Sequence, residues 1–242
     1  MQTGSETAFL KSVTLFMSRI VFDETYIAVF PSYEETELHK HSMLHVFIGK
    51  DTLALGNIAR GRLIILEQNI EHSRPCGDLS FFLFVDPTST FADNLRRNYL
   101  KGQPVYASDD EIIISDLSKE GLRGFVAEHF GDDCFVRRQG IDQRIRVLLD
   151  DIDSFSYLDS RVTEIADKLN YSESYLTHLF KAETGVSLKG YLLLRRFEYV
   201  WTQISTGGKM TDAILDAGFS SPSHFSDTCK KLTGISASDV LR

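Results

Sequence analysis

The C-terminal part of the chain contains one pattern twice, and this internal repeat constrains the fold more than any other feature. Each copy has a short helical segment, a residue that tolerates positive φ, and a serine that can cap a second helix. The turn and cap residues are Asn170 and Ser172 in the first copy, and Gly218 and Ser221, followed by Pro222, in the second. Proline is tolerated in the first turn of a helix. The repeat predicts two helix-turn-helix units, at about 161–185 and 210–234.

The second helix of each unit separates into an inward apolar face and an outward polar face at helical spacing. The inward residues are Leu176, Leu179 and Phe180 in the first copy, and Phe225, Thr228 and Cys229 in the second. The outward residues are Ser174, Thr177, His178 and Lys181 in the first helix, and Ser223, Ser226, Asp227 and Lys230 in the second. The residues that we expect to contact DNA are Ser174, Thr177, His178, Lys181, Ser223, Ser226, Lys230 and Lys231. A helix of this kind fits a major groove about 12 Å wide.

Over about residues 140–242 the sequence resembles the AraC/XylS family of transcription regulators. The matching elements are Ile165-Ala166, Tyr171-Ser172, Tyr175-Leu176, Leu179-Phe180-Lys181, Thr184-Gly185, Tyr191 and Arg196, and then Gly218-Phe219-Ser220, Phe225-Ser226, Lys230-Lys231 and Gly234-Ile235. The resemblance implies two recognition helices joined by a long helix over about Leu188 to Ile204, which enter successive major-groove segments. It also implies promoter DNA and RNA polymerase as partners, and it leaves activation or repression open.

Five features of the second unit depart from the family pattern. They are Asp227 in place of arginine, Cys229 in place of phenylalanine, Ala237 in place of proline, Val240 in place of an aromatic residue, and the inverted pair Ala213-Ile214. An aspartate is repelled by phosphates, although it can accept a hydrogen bond from cytosine. We therefore predict that the first unit reads the DNA sequence, and that the second contributes backbone contacts through Lys230 and Lys231.

The other roles in this part of the chain divide between bases, phosphates and packing. We expect Ser174, Thr177 and His178 to reach base edges. The candidates for phosphate contact or packing are Lys181, Lys189, Arg195, Arg196 and Lys230. Of these, Arg196 lies on the linking helix and is expected to be buried and paired.

The N-terminal half has the rhythm of a β-structure. Short runs rich in Ile, Val, Phe and Tyr are separated by polar or glycine-containing turns. The predicted strands are Ile20 to Phe22, Tyr26 to Phe30, His45 to Ile48, Leu63 to Leu66 and Phe81 to Val85. This spacing favours a small barrel or sandwich. The chain is thus predicted to be an α+β protein, with a sensing or dimerisation domain at 1–135 and a DNA-binding domain at 136–242.

Two helices are predicted to flank the strands, at Phe91 to Leu100 and at about Leu117 to Phe130. The second is amphipathic, with Leu122, Phe125 and Val126 close to one face. Periodicity alone does not distinguish a packing strut from a contact in a homodimer, and both interpretations stay open.

Four histidines form the second motif of the N-terminal half. His39, His41 and His45 share strand parity, and His72 follows after another predicted strand. The arrangement resembles the metal-binding residues of cupin barrels. In this sequence His45 stands where cupins usually have glutamate. Four imidazoles can hold Zn²⁺ or another divalent ion. The alternative is that the histidines line a pocket.

A cupin-like domain in regulators of this family implies a small-molecule effector. The interior of the predicted barrel is the default site for it. The residues expected to line this pocket are Phe30, His41, Phe47 and His72.

Composition sets further bounds. The net charge is −8 and neither half of the chain is basic, which counts against nonspecific binding of polyanions. No run of about 18 apolar residues and no signal peptide are recognisable, so we expect no membrane span. Cys76, Cys134 and Cys229 lie far apart without a Cys-x-x-Cys pair, as is typical of a cytoplasmic protein.

The leading hypothesis is a transcription regulator that is not an enzyme and needs no cofactor, since GxGxxG, P-loop, GxSxG and HExxH patterns are absent from the sequence. One alternative is a metal-dependent cupin enzyme with a helical accessory domain. Another is a co-regulator that acts by protein contact, which the acidic balance and Asp227 favour.

Overall fold

The structure, a computed structural model, describes residues 20–30, 38–40 and 42–233, apart from the side chains of residues 205, 231 and 233. The chain divides into two compact units after Gln139. The boundary predicted from the sequence, between 135 and 136, lies nearby, and the separate roles of the two domains stay predictions.

The N-terminal unit is built on one antiparallel sheet. Its strands are β1 (Ile20–Phe22), β2 (Tyr26–Val29), β3 (Leu44–Leu55), β4 (Ala59–Leu66), β5 (Leu79–Val85) and β6 (Val105–Ser108). Their order across the sheet is β1-β2-β5-β3-β4-β6. Among the described residues β1 and β6 are the two edges, so the sheet is open and the predicted closed barrel is not shown. The predicted combination of strands and helices is confirmed.

Strand β1 agrees with the prediction and β2 is one residue shorter, whereas β3, β4 and β5 are longer than predicted, and β3 shows the reason. Its apolar start is followed by the exposed residues Lys50, Asp51 and Thr52, and the strand then continues to Leu55. Pairing with β4 stops after Ile48 and resumes at Leu53 in a shifted register, and the backbone nitrogen of Lys50 donates to the backbone oxygen of Asp78 at 2.9 Å. The strand thus continues past residues whose side chains are not buried. Strand β6 was not predicted, because four residues with partly exposed side chains leave no clear alternation.

Both faces of the central strands are buried. Leu44, Val46 and Ile48 lie in the core on one face of β3. His45 and Phe47, which point the other way, are 2% and 3% exposed. Burial on both faces explains why these strands read as continuous apolar runs rather than as an alternation.

The helices of this unit pack against the face of the sheet that contains Leu44, Val46 and Ile48. Helix α1 (Thr90–Asn94) continues as a π-helical segment (Leu95–Leu100), and α2 (Lys119–Phe130) follows β6. The apolar residues of α2 belong to the same core as Val46, and they are Leu122, Phe125, Val126 and Phe130. The apolar face of α2 is therefore occupied within its own unit, which favours the packing role. The homodimer stays a prediction.

The C-terminal unit is helical throughout residues 143–233 wherever regular structure is described. Its helices are α3 (Gln143–Asp153), α4 (Val162–Lys168), α5 (Glu173–Thr184), α6 (Leu188–Ser205), α7 (Met210–Asp216) and α8 (Pro222–Thr233). The predicted linking helix is confirmed as α6. Within the part of the chain that is described, no helix is both long and apolar enough to span a membrane.

Candidate nucleic-acid interface

The first helix-turn-helix unit is formed by α4 and α5. In the turn, Asn170 adopts a φ of 57°, and the Ser172 hydroxyl accepts a hydrogen bond of 3.2 Å from the backbone nitrogen of Tyr175. Helix α5 ends at Gly185, which is left-handed with a φ of 80°. Asparagine tolerates this backbone region, and the serine satisfies a backbone N–H that the first turn leaves without a helical partner. The predicted turn and cap are confirmed.

The second unit, α7 and α8, repeats this construction. Gly218 has a φ of 77°, and the Ser221 hydroxyl accepts a hydrogen bond of 3.1 Å from the backbone nitrogen of His224. Pro222 is the first residue of α8, where its missing N–H costs no helical hydrogen bond. The predicted duplication therefore holds at the level of backbone geometry.

The two turns differ in the space around them. A Cβ atom on Gly218 would lie 2.7 Å from the carbonyl oxygen of Leu158 and 3.0 Å from the Cα atom of Asp159. The corresponding turn of the first unit accommodates the side chain of Asn170. The second turn thus requires glycine both for its φ and for the close approach of the backbone.

The inward faces of α5 and α8 hold these helices in place. Leu176 and Phe180 are fully buried, and Leu179 is partly buried against the same core. In α8 the predicted inward residues Phe225, Thr228 and Cys229 are buried as well. Burial raises the pKa of the Cys229 thiol far above its usual value, so the thiol stays neutral.

The outward face of α5 presents polar groups. Ser174, His178 and Lys181 are exposed, and Thr177 is half-buried. The Thr177 hydroxyl donates to the backbone oxygens of Glu173 and Ser174, at 2.9 and 3.1 Å. A hydroxyl that donates to its own helix still has a lone pair with which it can accept.

The outward face of α8 is less cationic. Ser223, Asp227 and Lys230 are exposed, and Ser226 is half-buried. The backbone of Lys231 is helical, but its side chain lies outside the described residues. The exposed carboxylate of Asp227 therefore shares this face with the predicted phosphate contact.

A family model described as a helix-turn-helix domain matches residues 165–242. These residues are a helix-turn-helix domain of the AraC type. The match covers both capped helices, α5 and α8, and the helix α6 between them.

The chain is similar over part of its length to several bacterial proteins. Uncharacterized HTH-type transcriptional regulators of Staphylococcus aureus, including those of strains MSSA476 and N315, are 29% identical over 93 residues. The match covers 38% of this chain and 12% of each relative. The chain thus corresponds to a small part of the length of these relatives.

Two solved structures are also similar. The C-terminal domain of AraT, a response regulator from Geobacillus stearothermophilus, is 27% identical, with 42% of this chain and 86% of that one covered and a TM-score of 0.38. ToxT from Vibrio cholerae O395 is 16% identical, with 90% and 95% covered and a TM-score of 0.49.

Two of the cations that were candidates for phosphate contact instead pack within the C-terminal unit. Arg195 is 8% exposed and forms ion pairs with Asp153 and Glu198, at 2.9 and 2.6 Å. Arg196 donates to the backbone oxygen of Ser160 at 2.9 Å, and burial lowers its pKa. Both arginines link α6 to residues that precede α4. Arg196 was predicted to be buried and paired, and it is partly buried with a backbone oxygen as its partner. Lys189, by contrast, is exposed.

One polar cluster beside α5 was not predicted. The guanidinium of Arg144 on α3 donates to both carboxylate oxygens of Asp142 and, at 3.0 Å, to the hydroxyl of Tyr175. This arginine holds the pKa of Asp142 at about 2. No sequence signal links residues 144 and 175, because the pairing depends on how α3 packs against α5.

In the N-terminal unit, the residues expected to line one pocket lie on opposite faces of the sheet. Phe30 packs against Phe81 in the core of the first face, with ring centroids 5.7 Å apart. Phe47 lies on the other face near His72, with ring centroids 6.1 Å apart. His41 lies outside the described residues. The predicted lining is thus divided because alternate residues of a strand point to opposite sides.

Three of the four predicted metal ligands come close together. The ring centroid of His72 lies 4.7 Å from that of His39 and 4.6 Å from that of His45. The Nδ1 atom of His72 is hydrogen-bonded to the backbone oxygen of Ile70, and burial lowers the pKa of this histidine to about 4. Among the described residues no group of three or more His, Cys, Asp or Glu side chains is arranged to hold a metal ion. Because His41 lies outside the described residues, the four-histidine metal site stays a prediction.

A groove of about 690 Å³ opens at another place in this unit. Apolar side chains of Phe30, Leu79, Ile112 and Ile114 line it, together with the charged residues Lys50, Asp78 and Glu111. The Lys50 ammonium lies 3.4 Å from the Asp78 carboxylate, and both side chains are more than half exposed. The groove therefore combines an apolar lining with charges of both signs.

Proposed function

We propose that the chain is a sequence-specific DNA-binding transcriptional regulator in which α5 reads bases in the major groove. The exposed face of α5 carries this proposal, because Ser174 and His178 project from a helix whose opposite face is buried in the core. Hydroxyl and imidazole groups can donate to and accept from base edges. The match to an AraC-type domain supports the same conclusion.

In this proposal the second unit binds mainly the DNA backbone. The exposed Lys230 and the neighbouring Lys231 supply positive charge, whereas Asp227 on the same helix is repelled by phosphates. Ser223 and Ser226 provide hydroxyls for further backbone contacts. Most of the sequence preference is therefore expected from the first unit, with Lys181 as its phosphate contact.

The double variant His178→Ala, Thr177→Ala tests this proposal. Binding of the full chain is measured by mobility shift, with a duplex selected from a random-sequence library and an unrelated duplex of equal length. Loss of two base contacts is expected to weaken binding to the selected duplex about 10- to 100-fold and to change binding to the unrelated one less than about threefold.

Thr206→Ala is the matched control. Thr206 is exposed at the end of α6, and its hydroxyl donates to the backbone four residues earlier, as that of Thr177 does. Equal losses on both duplexes in the double variant would reject base reading. A wild-type chain without preference for any duplex would reject the regulator and favour the co-regulator that acts by protein contact.

We further infer that the N-terminal unit responds to a small molecule, with the groove beside Phe30 as its binding site. A groove of this size suits a ligand with an apolar body and a charged end, because apolar side chains and charges line it together. RNA polymerase and a second copy of the chain are the other partners in this proposal.

A further inference from the structure

We propose that the hydroxyl of Tyr175 donates a hydrogen bond to a DNA phosphate beside the major groove, and that Arg144 positions it. The inference rests on the proposed function, since it concerns the same DNA-binding surface. Neither residue belongs to the predicted set of DNA contacts.

The position of Tyr175 places it at the flank of the reading face. It lies in the first turn of α5, directly after Ser174. Successive helix residues are about 100° apart, so Tyr175 lies between the outward face of Ser174 and His178 and the buried face of Leu176. The flanks of a helix in the major groove face the phosphate backbone. Tyr175 is 44% exposed, so part of its side chain is accessible to a ligand.

Arg144 is fixed at the start of α3. Its Nε and Nη2 atoms donate to the two carboxylate oxygens of Asp142, at 2.9 and 2.7 Å, and Asp142 also caps α3. A further bond of 2.8 Å joins the backbone nitrogen of Asp142 to Glu183 in the last turn of α5. The start of α3 is thus tied to both ends of α5, and the Arg144 guanidinium cannot swing away without loss of a bidentate ion pair.

The direction of the bond between Arg144 and Tyr175 decides what the hydroxyl can do. Arginine has N–H donors and no acceptor, so its Nη1 atom donates to a lone pair of the Tyr175 oxygen. The proton of the hydroxyl is not used by this bond. A hydroxyl that accepts from a cation is also a stronger donor, because hydrogen bonds in a chain polarise one another. A phosphate oxygen is a suitable acceptor for it.

The charge of the cluster distinguishes this contact from a lysine contact. The Asp142 carboxylate offsets the Arg144 guanidinium at 2.7 Å. The cluster therefore holds phosphate by a directed hydrogen bond with little net charge, so few counterions are released from the DNA. Removal of the hydroxyl should weaken binding to all duplexes alike and leave the salt dependence unchanged.

The variant Tyr175→Phe tests the proposal, because it removes the hydroxyl and keeps the ring. With the full chain, the dissociation constants for the library-selected duplex and for an unrelated duplex are measured at several salt concentrations. Both are expected to rise about five- to tenfold, with an unchanged slope of log affinity against log salt. Lys181→Ala should instead lower that slope by about one.

Tyr199→Phe is the matched control, because Tyr199 lies on α6 with its ring against Phe155. It is expected to bind both duplexes as the wild type does. Duplexes with one methylphosphonate replacing a phosphate at each flanking position provide a second measurement. The wild type should lose affinity at one of these positions, and Tyr175→Phe should be insensitive there.

The role of Arg144 is tested by a double-mutant cycle. Arg144→Gln should weaken binding in the wild-type chain and have little further effect in Tyr175→Phe. Equal effects in both backgrounds would overturn the positioning role.

Other outcomes separate this inference from the proposed function. If Tyr175→Phe binds both duplexes within twofold of wild type, or if the loss is confined to the selected duplex, the phosphate contact is wrong. Absence of any preference in the wild type would instead contradict the proposed function.

Discussion

At the scale of single residues, the sequence predicts those whose role follows from local geometry. Asn170, Ser172, Gly218 and Ser221 were identified because turns and helix caps use a small set of residue types at fixed spacing. The role of Arg195 was left open between phosphate contact and packing. Its ion pair with Asp153 joins residues far apart in the chain, so no local pattern indicates it.

Gly218→Ala should destabilise the C-terminal unit by about 2–4 kcal/mol, because the added methyl group meets the Leu158 carbonyl in a backbone region that alanine disfavours. Gly207→Ala is the control, since Gly207 has a φ of 88° with open space around it, and should cost about 1 kcal/mol. Urea unfolding measures both. Equal losses of unfolding free energy in the two variants would show that the close approach at Gly218 adds nothing to the cost of the substitution.

At the scale of elements, the sequence predicts helices and buried strands better than hairpin arms. The family resemblance implied nearly the whole of α6, whereas the predicted strand His45 to Ile48 covers four of the twelve residues of β3. Backbone pairing extends β3 through polar residues, and a pattern of side chains does not record such pairing. The polar attachment of α2 to the turn between β1 and β2, which adds to its apolar packing, was likewise missed, because it joins residues 100 positions apart in the chain.

Arg123 on α2 and Asp23 between β1 and β2 form that attachment. The guanidinium lies 2.9 and 2.8 Å from the two carboxylate oxygens, and the Asp23 side chain is completely buried. Arg123→Met leaves this carboxylate without its cation, so we expect a loss of about 3–5 kcal/mol in the unfolding free energy of the N-terminal unit.

Asp23→Asn provides the control for this prediction. When it is combined with Arg123→Met, the buried charge is gone, and most of the lost unfolding free energy should return in urea titrations. A double variant as unstable as Arg123→Met would show that the ion pair is not the reason for the loss.

At the scale of the whole molecule, the division into a β-rich and a helical unit follows from the change of hydrophobic period along the sequence. The hydrophobic period does not predict whether the sheet closes or which residues line a pocket. Those features depend on which strand edges meet and on which face each residue occupies, as the separation of Phe30 from Phe47 illustrates. The groove includes residues 111–114, which form no regular element and gave no signal.

Filling the groove tests the proposed effector site. A panel of small carboxylates and amines with apolar bodies is screened by thermal unfolding of the full chain, and a ligand should raise the Tm by roughly 3 °C or more near saturation. Ile114→Trp should abolish this shift. Val136→Trp, at a position 56% exposed outside the groove, should retain it. A shift that persists in Ile114→Trp places the ligand elsewhere.

The crowding at Gly218 makes the two halves of the repeat unequal as exchangeable modules. A graft of the first turn onto the second would bring a side chain against the Leu158 carbonyl, whereas the reverse graft would bring only a glycine to a turn that already accepts asparagine. Segments can therefore be transplanted from the second copy into the first more readily than in the opposite direction. Redesign of DNA specificity by recombination of the copies has a preferred direction for this reason.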